Sequence, residues 1–336
     1  MEATVNIRKQ DAPVCSGGSI AAQLRNMELY GSVAVYEVDL SEQLSEPVPV
    51  VTLDGQVVCS EGNLSAVVGE AKSKKTFLCS ALVGGLLSQS GCMGFDALPG
   101  EVLWIDTEQS EAHVHRVIRR THILAGLDPD CSHDRLHVLA LRELDPKLRA
   151  QTAFDAIELY RPGLVVIDGI SDLQYNTNDL EESERIITSL MRFSSHYRTH
   201  ILCVLHTNPG SDKARGHTGS ALQRKAETVM YVHRVGAVSV VEPQFCRNEP
   251  FERFAFRVND SALPELCDLP AQTGEDPCVR LLRDEFGGAV ERSVLIRRMV
   301  EADGIPQVTA KVRVTRAIKR GVLALSDDGR EVSIPW

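Results

Sequence analysis

The sequence predicts an α/β protein, a doubly wound and mostly parallel sheet with a β-meander at one edge, followed by a small C-terminal helix-and-hairpin domain. Three observations carry this prediction. Continuously apolar runs at 102–106, 164–168 and 200–206 read as strands covered on both faces. They alternate with stretches of helical period at 76–88, 110–125, 147–160 and 180–196. After Ala221 this alternation gives way to consecutive strand-like segments joined by short turns.

Taken in order, residues 1–46 give no clear pattern beyond a helix near 21–29. From Val50, alternating apolar residues and the turn "LDGQ" predict a hairpin leading into a buried strand, "LSAVVGE". Helices and strands then alternate as far as "HILCVLH" at 200–206, after which "TNPGSDKARGHTGSAL" reads as a Gly-rich polar loop. The segments "AETVMYVHR", "VSVVEPQFCR" and "FERFAFRV" form the meander. The Pro- and acid-rich stretch 263–277 reads as a linker, and 278–336 as the second domain. The core domain thus spans 47–262.

Composition narrows the function classes. The 336 residues suit one large and one small domain, and 43% hydrophobic with 24% charged residues is ordinary for a soluble protein. The opening stretch has no apolar signal segment and no run is long enough to span a bilayer, so a cytoplasmic protein without a membrane partner is expected. Nine scattered cysteines show neither zinc spacing nor a disulfide framework and read as small buried hydrophobes. A net charge of −10 argues against coating nucleic acid by bulk charge. Yet 291–320 carries Arg292, Arg297, Arg298, Lys311, Arg313, Arg316, Lys319 and Arg320 against three acidic residues, the pattern of one module that touches DNA.

The strongest chemical signal is "GEAKSKKTF", placed between a buried strand and an amphipathic helix. Gly69, Glu70, Ala71, Lys72, Ser73, Lys74, Lys75, Thr76 and Phe77 form a P-loop in which backbone N–H groups and the helix N-terminus wrap phosphates. Lys75 would reach the β- and γ-phosphate oxygens, and the Thr76 hydroxyl would bind Mg²⁺. Lys74 stands where the second glycine of the motif is usual. The other reading is a basic surface turn before a helix.

Asp168 closes the strand "GLVVID", where an acidic side chain holds the magnesium shell in P-loop proteins. Glu108, just past "VLWID", is placed to polarise the attacking water or, alternatively, to cap the next helix; Asp106 lies within its strand and suits the first role less. His206 ends its strand as a γ-phosphate sensor or as a simple strand cap.

This order of Gly69, Lys75, Thr76, Glu108, Asp168, His206 and "RGHTGSAL" resembles RecA-fold ATPases, specifically the RepA-like replicative helicase branch, over residues 47–262. The resemblance implies ATP and Mg²⁺ as ligands and Glu108 as catalytic base. It also implies a switch at His206 and an arginine finger at Arg247 that reaches a neighbouring subunit's γ-phosphate. Phe245 stands where relatives carry a second cation, and Arg234 and Arg215 are the reserves; a surface ion pair is the competing reading of Arg247. A finger in trans implies a ring or filament. The role of residues 1–46 stays open, a subunit-linking arm being one reading the resemblance offers. "SKKTF" and "CRNEPFERFAFRV" also resemble ATPases of plasmids and mobilizable elements.

The segment "RSVLIRRMVEADGIPQVTAKVRVTRAIKRGVLALSDDGREVSIPW" looks like a winged helix: a helix at 293–302, a second at 308–319, then a hairpin wing. Lys311, Arg313, Arg316 and Lys319 are its expected DNA contacts, with Ala310, Val312, Ala317 and Ile318 toward the core. The expectation is an oligomeric DNA-dependent ATPase, and the alternative an ATP-switched DNA-binding protein without unwinding. A small-molecule kinase fits poorly, having no use for the last domain.

Overall fold

The structure is a computed structural model that describes residues 46–88, 90–97, 100–208, 211, 213–270, 276–319 and 321–335, with Val33 and Val38. The chain divides into two units, Met1–Glu46 and Pro47–Trp336. The helix expected near 21–29, Cys15 and Arg320 lie outside the described residues.

The second unit opens with a hairpin of β1 (Pro49–Leu53) and β2 (Gln56–Ser60), turning at Asp54 and Gly55 with φ of 47° and 83°. A tight hairpin turn needs positive φ at both central residues, which Asp-Gly tolerates. Then follow β3 (Leu64–Gly69), α1 (Lys75–Leu87), β4 (Phe95–Ala97), β5 (Val102–Asp106), α2 (Glu111–Ala125) and β6 (Leu136–Ala140). The alternation continues with α3 (Pro146–Tyr160), β7 (Leu164–Asp168), α4 (Leu180–Tyr197), β8 (His200–His206), α5 (Gly216–Lys225), β9 (Thr228–Val235), β10 (Val238–Cys246), β11 (Phe254–Val258) and β12 (Pro264–Cys267).

Among the described residues, the main sheet has the order β12-β11-β10-β9-β3-β8-β7-β5-β6. The six strands from β9 to β6 are parallel; β10, β11 and β12 form the antiparallel meander. Strand side chains alternate between two cores, as a period of two requires. Val67, Trp104, Val166 and Leu202 pack toward α1 and α2, whereas Ala66, Ile105, Ile167 and Cys203 pack toward α3, α4 and α5. Every residue of β3, β5 and β7 is buried, which explains their unbroken apolar character. Truncating one such core side chain, for example Leu82→Ala, costs about 2–5 kcal/mol.

Several expectations are corrected. The polar loop after His206 is only partly a loop: from Gly216 it is α5, which buries Thr218, Gly219, Ala221 and Leu222. The stretch read as a linker contributes β12, which pairs with β11 from Pro264 to Cys267 and extends the sheet. Its prolines read as breakers, but Pro264 sits at a strand start on the edge, where no ladder donor is needed.

The last segment comprises α6 (Pro277–Phe286), β13 (Ala289–Glu291), α7 (Arg292–Asp303), α8 (Gln307–Lys319), β14 (Ala324–Leu325) and β15 (Glu331–Ser333). Its strands pair in the order β13-β15-β14, and its core of Leu282, Leu295, Met299, Val314 and Val332 is separate from those of the main sheet. Val312 is not part of it, being 37% exposed; Val314 takes that place, because Ala310, Val314 and Ala317 share one helix face. Among the described residues, no helix is long and apolar enough to cross a membrane.

Candidate active site

The phosphate loop begins where β3 meets β9. A Cβ on Gly69 would lie 2.1 Å from the Val232 carbonyl oxygen, so only glycine fits there. Lys72 and Lys74 adopt left-handed backbone, with φ of 65° and 73°. Such a conformation costs a non-glycine residue about 1–2 kcal/mol, and glycine would adopt it freely. Lys74 therefore keeps the hand of the turn that glycine usually supplies. Its carbonyl accepts the first helical bonds of α1, from Phe77 (3.0 Å) and Leu78 (3.2 Å).

Lys75, 6% exposed, donates from Nζ to the carbonyls of Gly69 and Glu70, each at 3.0 Å, and lies 3.2 Å from His206 Nδ1. Burial lowers its pKa, against the pull of Asp168 and Glu108. Thr76 Oγ1 donates to Asp168 Oδ2 at 2.8 Å, so the two residues expected to bind metal meet. Burial, with the Asp106 carboxylate adding to it, pushes the Asp168 carboxyl up to about 7.

Glu108 is aimed from below. Asp106 Oδ1 accepts the N–H groups of Glu108 (3.1 Å) and Gln109 (2.7 Å), while Oδ2 accepts from Gln109 Nε2. Asp106 is thus an anchor for the turn that carries Glu108, consistent with its place inside the strand. Gly169, at φ 108°, lies against this turn: a Cβ there would come within 2.8 Å of Glu108 Cγ and Oε1. Thr107 Oγ1 reaches the Gly169 carbonyl and Asp172 Oδ2, tying the ends of β5 and β7 together. Glu108 Oε1 lies 3.4 Å from His206 Nε2, and that hydrogen bond holds its carboxyl below the usual range. The segment after His206 is tied back by Thr207 N–H on the Gly69 carbonyl and Arg215 N–H on the His206 carbonyl.

Lys75, Thr76, Glu108, Asp168 and His206 therefore converge at the C-terminal ends of four adjacent parallel strands, where ligands bind in such sheets. Glu70, Ala71 and Lys72 are exposed on the loop, and Phe77 lies in the first turn of α1. The loop also holds a buried hydroxyl without a partner, Ser73 Oγ. An orphaned donor inside a cradle of backbone N–H groups and a lysine suits phosphate oxygens. Among the described residues, no three His, Cys, Asp or Glu side chains are grouped to hold a metal alone. Thr76 and Asp168, which meet at 2.8 Å, are the residues that would hold magnesium beside phosphate.

The remaining predicted residues lie elsewhere. Arg247 is exposed, donates to the Lys225 carbonyl at 2.8 Å, and is level with Leu64 in the sheet, its N–H bonded to the Glu227 carbonyl. From Leu64 to Gly69 the strand rises roughly 16 Å, beyond the reach of an arginine toward its own loop. Arg234 is at the opposite end of the same strand pair, just past Val232, and bonds the Gly236 carbonyl; Arg215 is the exposed N-cap of α5. On α8, Lys311 is exposed and Arg313 pairs with Asp303 at 3.1 Å. Arg313, Arg316 and Lys319 line a cleft of about 810 Å³ against Glu70, Arg234 and Glu242 of the main domain, so the basic face is turned partly inward.

Asp106 stands out in the sequence only as a weaker candidate for the Glu108 role, and Thr107 and Gly169, which support the same turn, do not stand out at all. The only available hint for Gly169 was the Asp-Gly pair ending an apolar strand.

Together these features define a P-loop site for nucleotide-dependent ATP chemistry. The chain belongs to the AAA domain family, whose model matches residues 36–212. A solved structure described as the crystal structure of the RadB recombinase is similar at 16% identity, over 62% of this chain and 92% of that one, with a TM-score of 0.45. Comparison with curated proteins gives no match.

Proposed function

We propose that this ATPase is an oligomeric, DNA-dependent motor of the RecA type, a helicase or helicase-related protein of the RepA-like branch found on plasmids and mobile elements. The observation that carries the reading is the meeting of five side chains at the ends of adjacent strands, with Lys75 and Glu108 on the two ring nitrogens of His206 and Thr76 on Asp168 beside them. Bound Mg·ATP supplies the phosphoryl group transferred to water and the divalent charge that offsets its oxygens. Lys75 leaves the Gly69 and Glu70 carbonyls to place its ammonium on phosphate oxygens. Thr76 and Asp168 hold the metal. Glu108 orients water and takes its proton once His206 releases the carboxylate.

Arg247 serves a neighbouring subunit in this reading. Its distance from its own loop and its exposed place on the meander support a role in trans, as does Phe245, 54% exposed two residues earlier. The last domain is read as a winged helix that contacts DNA, supported by its order α6-β13-α7-α8-β14-β15, in which the last two strands form a hairpin, and by the exposed Lys311. Contacts would go mainly to phosphates.

A second reading, ATP as an assembly switch without unwinding, is favoured by one observation. Glu108 is tethered to His206 with its carboxyl held low, which makes it a weak proton acceptor as it stands.

Steady-state hydrolysis with and without single-stranded DNA separates the two, followed by mixing Lys75→Ala with Arg247→Ala protein. Stimulation by DNA and recovered activity in the mixture are expected. Slow hydrolysis indifferent to DNA, with each variant inactive alone and in the mixture, would leave the switch.

A further inference from the structure

Beside the phosphate loop stands a group of side chains with no part in the chemistry above. Phe77, the residue after Thr76, carries the Arg120 guanidinium 3.6 Å from its ring centroid, and Lys74 Nζ lies 4.9 Å from the same centroid. Arg120 reaches there from α2. Its Nε donates to the Ala262 carbonyl at 3.1 Å, in the turn between β11 and β12. Ala262 has φ 58°, and that turn is tied by Asn259 Oδ1, which accepts from Ser261 and Leu263. The guanidinium plane is thus fixed by a ring on one side and a carbonyl at one edge.

Its Nη1 is buried and has no hydrogen-bond partner. An unsatisfied buried donor costs about 1–3 kcal/mol, more when charged. Nothing acidic compensates: among the described residues neither Arg120 nor Lys74 forms an ion pair. Two cations gathered on one ring, without a carboxylate and with one N–H unanswered, form a poor structural contact and a good ligand contact.

Position says which part of a ligand comes here. The Lys75, Glu108 and His206 cluster marks the γ-phosphate end. Thr76 Oγ1 points to Asp168, and Phe77, the next residue along α1, turns about 100° away from it. The nucleoside end of a nucleotide leaves the loop away from the γ cluster.

We propose that Arg120 reads the base of the bound nucleotide: its Nη1–H donates to an acceptor on the edge of a purine, while Phe77 and the Ala262 carbonyl hold the guanidinium in place. This rests on the site binding a nucleotide through the phosphate loop. Lys74 is the flexible part of the rim that moves aside. Arg120 is then a recognition residue and Phe77 a positioning residue.

Calorimetric titration of the full chain with Mg·ATP and with Mg·tripolyphosphate tests this, because the second ligand has the phosphates but no base. Arg120→Ala is expected to raise the Kd for ATP at least ~10-fold and to leave that for tripolyphosphate within ~2-fold. Arg120→Lys should not rescue it, since an ammonium cannot keep the planar stack. Phe77→Leu, which keeps the bond to Ala262, should weaken ATP selectively as well and stands in if the alanine variant fails to fold. Equal weakening of both ligands, or no change in either, would overturn the proposal. Lys75→Ala must abolish both titrations; if ATP still binds, the site itself is wrong and the proposal falls with it.

Discussion

His206 Nε2 lies 3.4 Å from Glu108 Oε1, while Nδ1 of the same ring lies 3.2 Å from Lys75 Nζ. An ammonium only donates, so Nδ1 accepts and Nε2 carries the hydrogen directed at the carboxylate. The imidazole therefore links Lys75, the proposed phosphate-binding cation, to Glu108, the proposed proton acceptor. His206→Ala is expected to lower the hydrolysis rate by roughly 10–100-fold while ATP affinity stays within ~3-fold. Rapid-quench and equilibrium binding measurements separate the two. A large loss of affinity would instead make His206 a binding residue.

Asp168 illustrates a site that costs stability in the absence of metal. Its carboxyl is pushed up to about 7 by burial and by Asp106, so the folded chain holds a proton that the unfolded chain releases near the ordinary carboxylate value. The folded state is favoured below about pH 4, and that contribution is lost as pH rises to about 7. Asp168→Asn should therefore stabilise the protein in EDTA at pH 8 by about 2–4 kcal/mol, and abolish magnesium-dependent nucleotide binding. Thermal melting reads the first effect; an unchanged melting temperature would contradict it.

His200 acts in the opposite direction. It is wholly buried, its Nδ1 lies 2.8 Å from the Ser60 carbonyl oxygen, and burial pushes it down to about 4. The unfolded chain takes up a proton near pH 6.5 and the folded chain only near 4, so stability present above 6.5 is lost through that window, by up to about 3 kcal/mol. Denaturant midpoints from pH 7 to pH 4 should show this fall, and His200→Gln should flatten it.

Lys74 occupies a backbone position suited to glycine. Lys74→Gly should preserve ATP binding through the phosphates, because the loop N–H groups keep their directions. Lys74→Val should cost about 1–2 kcal/mol and weaken binding, since a β-branched residue fits left-handed backbone worst. Equal behaviour of the two variants would mean the turn is not needed in this form.

Most of the core was legible because both cores follow simple periods. The apolar runs at 102–106, 164–168 and 200–206 are strands within those bounds, since side chains buried on both faces leave no polar interruption. The site residues were legible by type and order, and Lys75, Thr76, Glu108, Asp168 and His206 do come together. The clamps around them were not. Asp106 binding the Glu108 turn is a local contact over two and three residues, unread because the side chain was weighed only as a catalytic candidate. Gly169 packed under Glu108 depends on β5 and β7 being neighbours, which a linear pattern does not announce. Helix α5 and strand β12 were hidden by Gly and Pro, whose local preferences are overridden here by packing on Thr218 and pairing with β11.

The most direct test is hydrolysis of Mg·ATP by the purified protein beside Glu108→Gln and Lys75→Ala. Glu108→Gln is expected to bind ATP but to hydrolyse it roughly 10²–10⁴-fold more slowly, and Lys75→Ala to do neither. Full activity in Glu108→Gln, or ATP hydrolysis that survives Lys75→Ala, would contradict it.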